Sequence, residues 1–410
     1  MWLIYKLATN SYVLLVHLLS PFIGKARKWS YGRSEQVAKW KAINNKEPLI
    51  WFHCASLGEF EQGKPVIEAF KSTHKEWKIL ITFFSPSGYD LRADYELADY
   101  VFYLPIERSR NVKWFLEAFN PQIAVFVKYE FWYGYMAELS KRSIPLVFVS
   151  STFRPYHIFF KSYGRWFLKQ LEAVRMFFVQ DKESEELLRS KSILNVEVSG
   201  DTRFDRVIKT VRDNEDLSYL KAFNEGYKVL IFGSAWERET AYFLKIVKQI
   251  PDEWKVIYAP HEISENKLQG IMKSLEVNSV RYSQLNEDKA RKSRILLVDT
   301  VGHLARMYKY SDAAFIGGGY RDGIHNILEP LSFGNPVFFG GNHQGFGEGE
   351  ETKNLGIGIE VSQYEDFEKQ MLKWFDNPVE LNVIQKKCES YIEERVGATK
   401  IIVDYLNKLS

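Results

Sequence analysis

The chain has 410 residues, of which 46% are hydrophobic and 15% aromatic, with a formal net charge of +3 and two cysteines. That length points to two α/β domains rather than one core, and the hydrophobic content excludes a disordered chain. Two cysteines, Cys54 and Cys388, exclude a disulfide framework, and the small net charge gives no ground for a nucleic-acid partner.

In chain order, Met1–Gly24 is apolar but broken by Lys6, Asn10 and His17. Its cleanest run, Tyr12–Ile23, falls short of the roughly 20 residues of a spanning helix. Lys25, Arg27 and Lys28 follow, and residues 1–50 hold eight Lys/Arg against two Glu, leaving the other 360 residues at −3. An apolar segment beside a basic excess suggests that residues 1–28 form an anchor in the inner, cytoplasmic face of a membrane. A long helix packed on the first domain, and a spanning helix, are the other two readings.

A first domain is expected over residues 29–208. Short apolar runs at 49–54, 79–84, 101–104, 123–127, 146–150, 176–179 and 196–199 alternate with helical stretches. This alternation predicts a parallel, doubly wound sheet with its sites at the strand C-terminal ends. The first such end is Ala55-Ser56-Leu57-Gly58-Glu59-Phe60, a glycine-containing loop before a helix opened by Pro65. Glu59 there reads as a general base or, taken alone, as a carboxylate stabilised by a helix dipole. Ser85-Pro86-Ser87-Gly88 reads as a polar site loop or a turn. Lys128 and Glu130, in the aromatic stretch Lys128–Trp132, line a pocket or form a surface pair over core rings. Arg154 meets an anionic substrate or is a solvated loop residue. Asp181 caps a helix rich in early carboxylates.

Residues 209–226 are polar and read as the crossing to a second domain at 227–385. Its runs at 229–232, 256–259, 295–298, 313–316 and 337–339 repeat the alternation. The stretch 312–346 is central: Ala313–Ile316 runs into Gly317-Gly318-Gly319, then His325-Asn326-Ile327-Leu328-Glu329-Pro330. A strand, a glycine loop and a helix start make a phosphate-binding corner. Asn326 and Glu329 have capping-box spacing, and Glu329 has acceptor capacity left for a ribose. Gly340-Gly341-Asn342-His343, with Phe346 and the acidic Glu348, Glu350 and Glu351, forms a second polar loop close to the first. His261, after the second run, is a ligand contact or a solvated histidine. The helical tail is broken at Val396–Lys400, and residues 386–410 are expected to pack back on the first domain.

Together these motifs resemble the bacterial 3-deoxy-D-manno-octulosonic acid (Kdo) transferases over nearly the whole chain. The residues that carry the likeness are Trp51-Phe52-His53, Ser56-Leu57-Gly58-Glu59, Gly233-Ser234, Ala259-Pro260-His261, Asp299-Thr300-Val301-Gly302, Gly317-Gly318 and, most specifically, His325-Asn326-Ile327-Leu328-Glu329-Pro330. The resemblance implies the GT-B fold, two Rossmann-like domains facing a cleft. It implies an inverting transfer of Kdo from CMP-Kdo to a lipid A precursor at the inner membrane, without a cofactor. Glu59 would be the base and Glu329 the ribose contact, with Ser234, Gly318, His325 and Asn326 in the donor site. Gly317 and His261 join that donor group, and Ser56, Gly58, Lys128, Glu130 and Arg154 form the acceptor group. Where the family commonly has Glu-x-Glu-x-Trp-Pro, this chain has Lys128-Tyr129-Glu130-Phe131-Trp132-Tyr133. Where the family often has Pro-Arg-His-Pro, it has Pro260-His261-Glu262, without the arginine. With no Asp-x-Asp and no His/Cys metal spacing, no protein-bound metal is expected. The rival readings are a GT-B transferase using a UDP- or ADP-sugar, and a sugar-nucleotide epimerase or binding module.

Overall fold

A computed structural model describes residues 1–212, 217–343 and 347–410. Phe346, and residues 213–216 of the expected 209–226 crossing, lie outside the described residues. The chain forms two compact units, Met1–Asp205 with Arg395–Ser410, and Arg206–Glu394.

Unit 1 carries seven parallel strands: β1 (Leu49–Cys54), β2 (Lys78–Phe83), β3 (Tyr100–Tyr103), β4 (Ile123–Val127), β5 (Leu146–Ser151), β6 (Met176–Val179) and β7 (Val196–Val198). Their order is β3-β2-β1-β4-β5-β6-β7. The period of two sorts β1 between two cores. Leu49 and Trp51 pack on one face with Phe115, Phe126 and Tyr135, while Ile50, Phe52 and Cys54 pack on the other with Phe60, Phe70 and Phe178. Both faces are covered, so β1, β4 and β5 are buried at every position.

At the N-terminus two helices replace the single apolar segment. α1 (Trp2–Leu19) is separated by a short turn from α2 (Gly24–Lys41). Within α1 only Val13 is buried. Arg27 closes the turn by donating to the Ser20 and Pro21 carbonyls, and Lys28 pairs with Asp90 at 2.7 Å.

Unit 2 has seven parallel strands: β8 (Lys228–Ala235), β9 (Trp254–Pro260), β10 (Ser279–Arg281), β11 (Ile295–Leu297), β12 (Ala313–Ile316), β13 (Val337–Gly340) and β14 (Gly358–Val361). Their order is β10-β11-β9-β8-β12-β13-β14. Stacked Phe232 and Phe315, with Phe338, Phe367 and Trp374, centre its core. The two edge strands β10 and β14 were not expected, because each is short and interrupted by polar residues or glycine.

The domain boundaries differ from the sequence expectation. The first division falls at 205/206, inside helix Thr202–Arg212, ahead of the polar stretch, and Ser218–Asn224 within that stretch is helical. Of the 386–410 tail, only Arg395–Ser410 belongs to unit 1. The Asp205 carboxylate accepts the Gly397 and Thr399 N–H groups at 2.6 and 2.7 Å, tying down the start of the last helix. Ile402 and Leu406 of that helix then enter the core beside Phe60 and Phe70.

Candidate active site

Strand order reverses between β1 and β4 in unit 1, and between β8 and β12 in unit 2. Open α/β sheets bind ligands at such switch points, outside the strand C-termini. The loops that follow these four strands hold nearly all the sequence-predicted site residues.

In unit 1, the segment after β1 is a helix start rather than a loop. α3 (Leu57–Thr73) begins at Leu57 with Ser56 as its N-cap, and Pro65 lies inside it instead of opening it. Ser56 Oγ accepts the Gly58 N–H at 3.2 Å. Glu59 Oε2 accepts the Ser56 N–H at 3.0 Å and the Ser56 hydroxyl at 2.5 Å. This is a capping box, and the described hydrogen bonds of Glu59 all reach one carboxylate oxygen. Ser85 likewise caps a helix, α4 (Pro86–Arg92), where a simple turn was the alternative.

Lys128 directly follows β4 at φ +69°, the left-handed region that non-glycine residues seldom occupy. Its carbonyl accepts the Ser151 hydroxyl at 2.9 Å. Glu130 accepts from Trp132 Nε1 at 2.7 Å and lies 3.0 Å from His53 Nε2. His53 is fully buried, and its Nδ1 is 2.9 Å from Thr82 Oγ1, which itself accepts from Trp51 Nε1 at 2.8 Å. The same Nδ1 is 3.1 Å from the Thr82 carbonyl oxygen, and Nε2 also receives the Trp132 indole N–H at 3.0 Å, so both ring nitrogens are held in place. Burial, then the charges of Glu59, Glu130 and Glu61, push the Cys54 thiol up. Arg154 lies in a loop with its side chain 33% exposed. It pairs with Asp181 at 2.9 Å and Glu183 at 3.6 Å, and Asp181 caps its helix through the Ser184 N–H as expected.

In unit 2, Ser234, next to the end of β8, has φ +52°, and β12 delivers the three glycines beside it. A Cβ on Gly317 would lie 1.9 Å from the Ser234 carbonyl oxygen, and one on Gly319 2.5 Å from the Gly340 nitrogen. Only glycine permits those backbone approaches. Asn342 N–H donates to the Gly319 carbonyl at 2.7 Å, so the second polar loop does lie against the first. Glu239, almost wholly buried, accepts from the Trp236 N–H at 3.0 Å and the Gly318 N–H at 3.2 Å, lacing the two switch-point loops together. Burial holds its carboxyl above the usual range.

The rings of Trp236 and His261 stack at 4.0 Å, those of His261 and His325 at 4.8 Å. Trp236 Nε1 is directed at His325 Nε2 at 3.4 Å, which makes Nδ1 the donor of that ring. Burial, and then His261, lowers the pKa of His325, favouring the neutral imidazole.

The expected capping box at Asn326 and Glu329 does not form. The N-cap of the short helix Leu328–Ser332 is Ile327. Asn326 instead accepts the Leu328 N–H through Oδ1 and donates from Nδ2 to Glu329, both at 3.0 Å, and Arg206 lies 3.6 Å from the same carboxylate.

His53, Trp236, Glu239 and Arg321 were not picked out from sequence as site residues. Trp236 and Glu239 carried a usable signal, an aromatic and a carboxylate three residues apart directly after a strand. His53 sits inside a strand; its signals are being polar in an otherwise apolar run and its place in Trp51-Phe52-His53, one of the stretches that carry the family likeness.

Two Rossmann-like units with glycine loops and carboxylates at their switch points give the chain a GT-B-like fold. Residues 31–206 match the family model for 3-deoxy-D-manno-octulosonic-acid transferase. The chain is 24% identical over 364 residues to the 3-deoxy-D-manno-octulosonic acid transferase of Chlamydophila psittaci, covering 85% of this chain and 83% of that protein. It is 23% identical over 360 residues to that of Aquifex aeolicus, covering 85% and 92%. A bifunctional glycosyltransferase/methyltransferase of Fusobacterium nucleatum is 29% identical over 339 residues; these span 79% of this chain but only 52% of that protein. Residues 31–206 thus match the Kdo transferase family's domain, and the Chlamydophila and Aquifex relatives extend the likeness over 85% of the chain. Among solved structures, a UDP-GlcNAc 2-epimerase from Neisseria meningitidis bound to UDP-GlcNAc shares the fold at TM-score 0.60 and 16% identity, covering 88% of this chain and all of that one. The UDP-GlcNAc 2-epimerase of Methanocaldococcus jannaschii does so at 0.51 and 16%, covering 78% and 90%.

Proposed function

We propose that this chain transfers Kdo from CMP-Kdo to a lipid A precursor (lipid IVA), with inversion, at the cytoplasmic face of the inner membrane. The observation that carries this reading is the convergence of Gly317, Gly318, His261, His325 and Trp236 at one switch point, with Asn326 and Glu329 hydrogen-bonded to each other just beyond it. A backbone freed of side chains at Gly317–Gly319 suits close approach of a phosphate, with Ser234 beside it, and Glu329 suits a ribose diol.

The acceptor chemistry falls to unit 1. Glu59 Oε2 is occupied by the cap, leaving Oε1 to take the proton from the attacking sugar hydroxyl. The hydroxyl oxygen bonds to the anomeric carbon as the bond from that carbon to the CMP phosphate oxygen breaks, and the electron pair leaves on CMP. One such displacement inverts the centre. Ser56, Gly58, Lys128, Glu130 and Arg154 are the acceptor-side candidates, and His53 holds Glu130 in place. The apolar, exposed outer side of α1 supports membrane contact, with Lys25 at the start of α2.

The test is incubation of the full chain with CMP-Kdo and lipid IVA, with product mass read out. A gain of one or more Kdo residues is expected. No gain with CMP-Kdo, alongside a gain with a UDP- or ADP-sugar, overturns the donor assignment. In thermal shift, CMP should stabilise the protein more than UDP or ADP.

A further inference from the structure

Unit 1 contains a cavity of about 470 Å³ beneath α1, a size that suits a small ligand. Its walls are the inner side of α1 (Tyr5, Thr9, Val13), Trp29 of α2, Ile106 and Phe131. Most of its polar groups are already used, an exception being Trp29 Nε1, which is buried without a hydrogen-bond partner. The buried Arg33 guanidinium donates to the carbonyls of Leu104, Trp29 and Phe84 at 3.1, 3.1 and 2.6 Å. Glu107 accepts from the Tyr5 hydroxyl and the Gly134 N–H. Glu130 is bound by His53 and Trp132. A polar ligand seated there would find little beyond that one indole N–H to answer its own groups, which is costly, whereas an apolar one forfeits far less.

Two further placements say what kind of apolar ligand. The wall formed by α1 has the opposite character on its outside, where Leu3, Ile4, Leu7, Leu14, Leu15 and Leu18 are each more than half exposed. At its other end the cavity reaches the candidate catalytic edge. Phe84, which lines it, donates its N–H to the Ala55 carbonyl at 3.1 Å, one residue before the Ser56 cap of Glu59.

We infer that this cavity is a slot for one acyl chain of the glycolipid acceptor, drawn in past α1 so that the sugar hydroxyl is held at the Glu59 edge. The inference rests on the proposed acceptor being a lipid. Burial pushes the Glu107 carboxyl up to about 7, so the slot floor sheds its charge easily, in keeping with an apolar occupant.

Two measurements on the full-length protein in detergent micelles test it. Thr9→Trp and Ile106→Trp each add a large ring to the slot. Both should lower the preference for the acylated precursor over its fully deacylated form, read as the ratio of kcat/KM values, by at least tenfold; an unchanged ratio overturns the slot. Independently, a lipid A precursor with a diazirine at the end of one acyl chain should, on irradiation of the unmodified protein, label Ile106 or Phe131. Labelling confined to outward-facing Leu14 and Leu15, or none in this unit, overturns it. The photolabel needs no turnover, so a chain that binds the acyl group without transferring Kdo would refute the proposed reaction and leave the slot standing.

Discussion

Arg321 lies over Trp236, its guanidinium carbon 4.0 Å from the ring centroid, while the same indole stacks on His261. The glycine loop thereby places a cation over the ring stack of the proposed donor site, in a chain that has Pro260-His261-Glu262 where an arginine is common. CMP-Kdo carries a phosphodiester and a carboxylate, so a cation here has an obvious counterpart. The ion pair of Arg321 with Glu237 spans 3.8 Å between largely exposed side chains and is weak. Arg321→Ala should raise KM for CMP-Kdo about fivefold with kcat nearly unchanged, on the scale of ~1 kcal/mol for a cation over a ring, and Arg321→Lys should recover part of that. An unaltered KM would make Arg321 an ordinary solvated residue.

Glu59 has two roles that one substitution separates. Glu59→Gln retains an amide oxygen for the Ser56 N–H, so the helix cap and the melting temperature should change little. The base is gone, and kcat should fall by about 10²- to 10⁴-fold while CMP affinity holds. Retained turnover would assign the carboxylate to capping alone.

The sequence located both sheets because fully buried parallel strands are written as unbroken apolar runs; 49–54, 123–127, 176–179 and 313–316 coincide with the observed strands. It failed where an edge strand needs few apolar residues, as at Ser279–Arg281, and where a helix start lacks its usual marks. Pro65 suggested an opening that Ser56 makes nine residues earlier, since an N-cap is one side chain and is easily outweighed by a proline. The site was legible as loops after strands. Its wiring was not, because Trp236 to His325, Glu239 to Gly318 and His53 to Glu130 join residues 77 to 89 positions apart.

Glu239 ties the loop after β8 to the loop after β12. Glu239→Ala would leave the Trp236 and Gly318 N–H groups without their carboxylate, and an unanswered buried donor costs about 1–3 kcal/mol. The expected outcome is a lower melting temperature together with weaker CMP binding. A loss of stability with CMP affinity intact would separate the glycine loop from nucleotide recognition.

Glu107 sets a pH dependence of defined sign. Burial raises its carboxyl from 4.5 to about 7, against the hydrogen bonds from Tyr5, Gly134 and Tyr135. A carboxyl whose pKa is higher in the fold than in the unfolded chain leaves the folded state holding the extra proton between those two values. Its contribution is therefore fully present below pH 4.5 and lost as pH rises through 7, with an upper bound of about 3 kcal/mol. Glu107→Gln keeps a neutral group at this position and should not follow that decline. Melting temperatures of the two proteins, taken from pH 4.5 to 8.5, should diverge steadily up to about pH 7 and run parallel beyond it, the glutamine variant being the more stable. Curves that stay parallel throughout, or an unmodified protein that gains on the variant as pH rises, would mean that Glu107 is ionised in the folded state and that the slot beneath α1 has a charged floor.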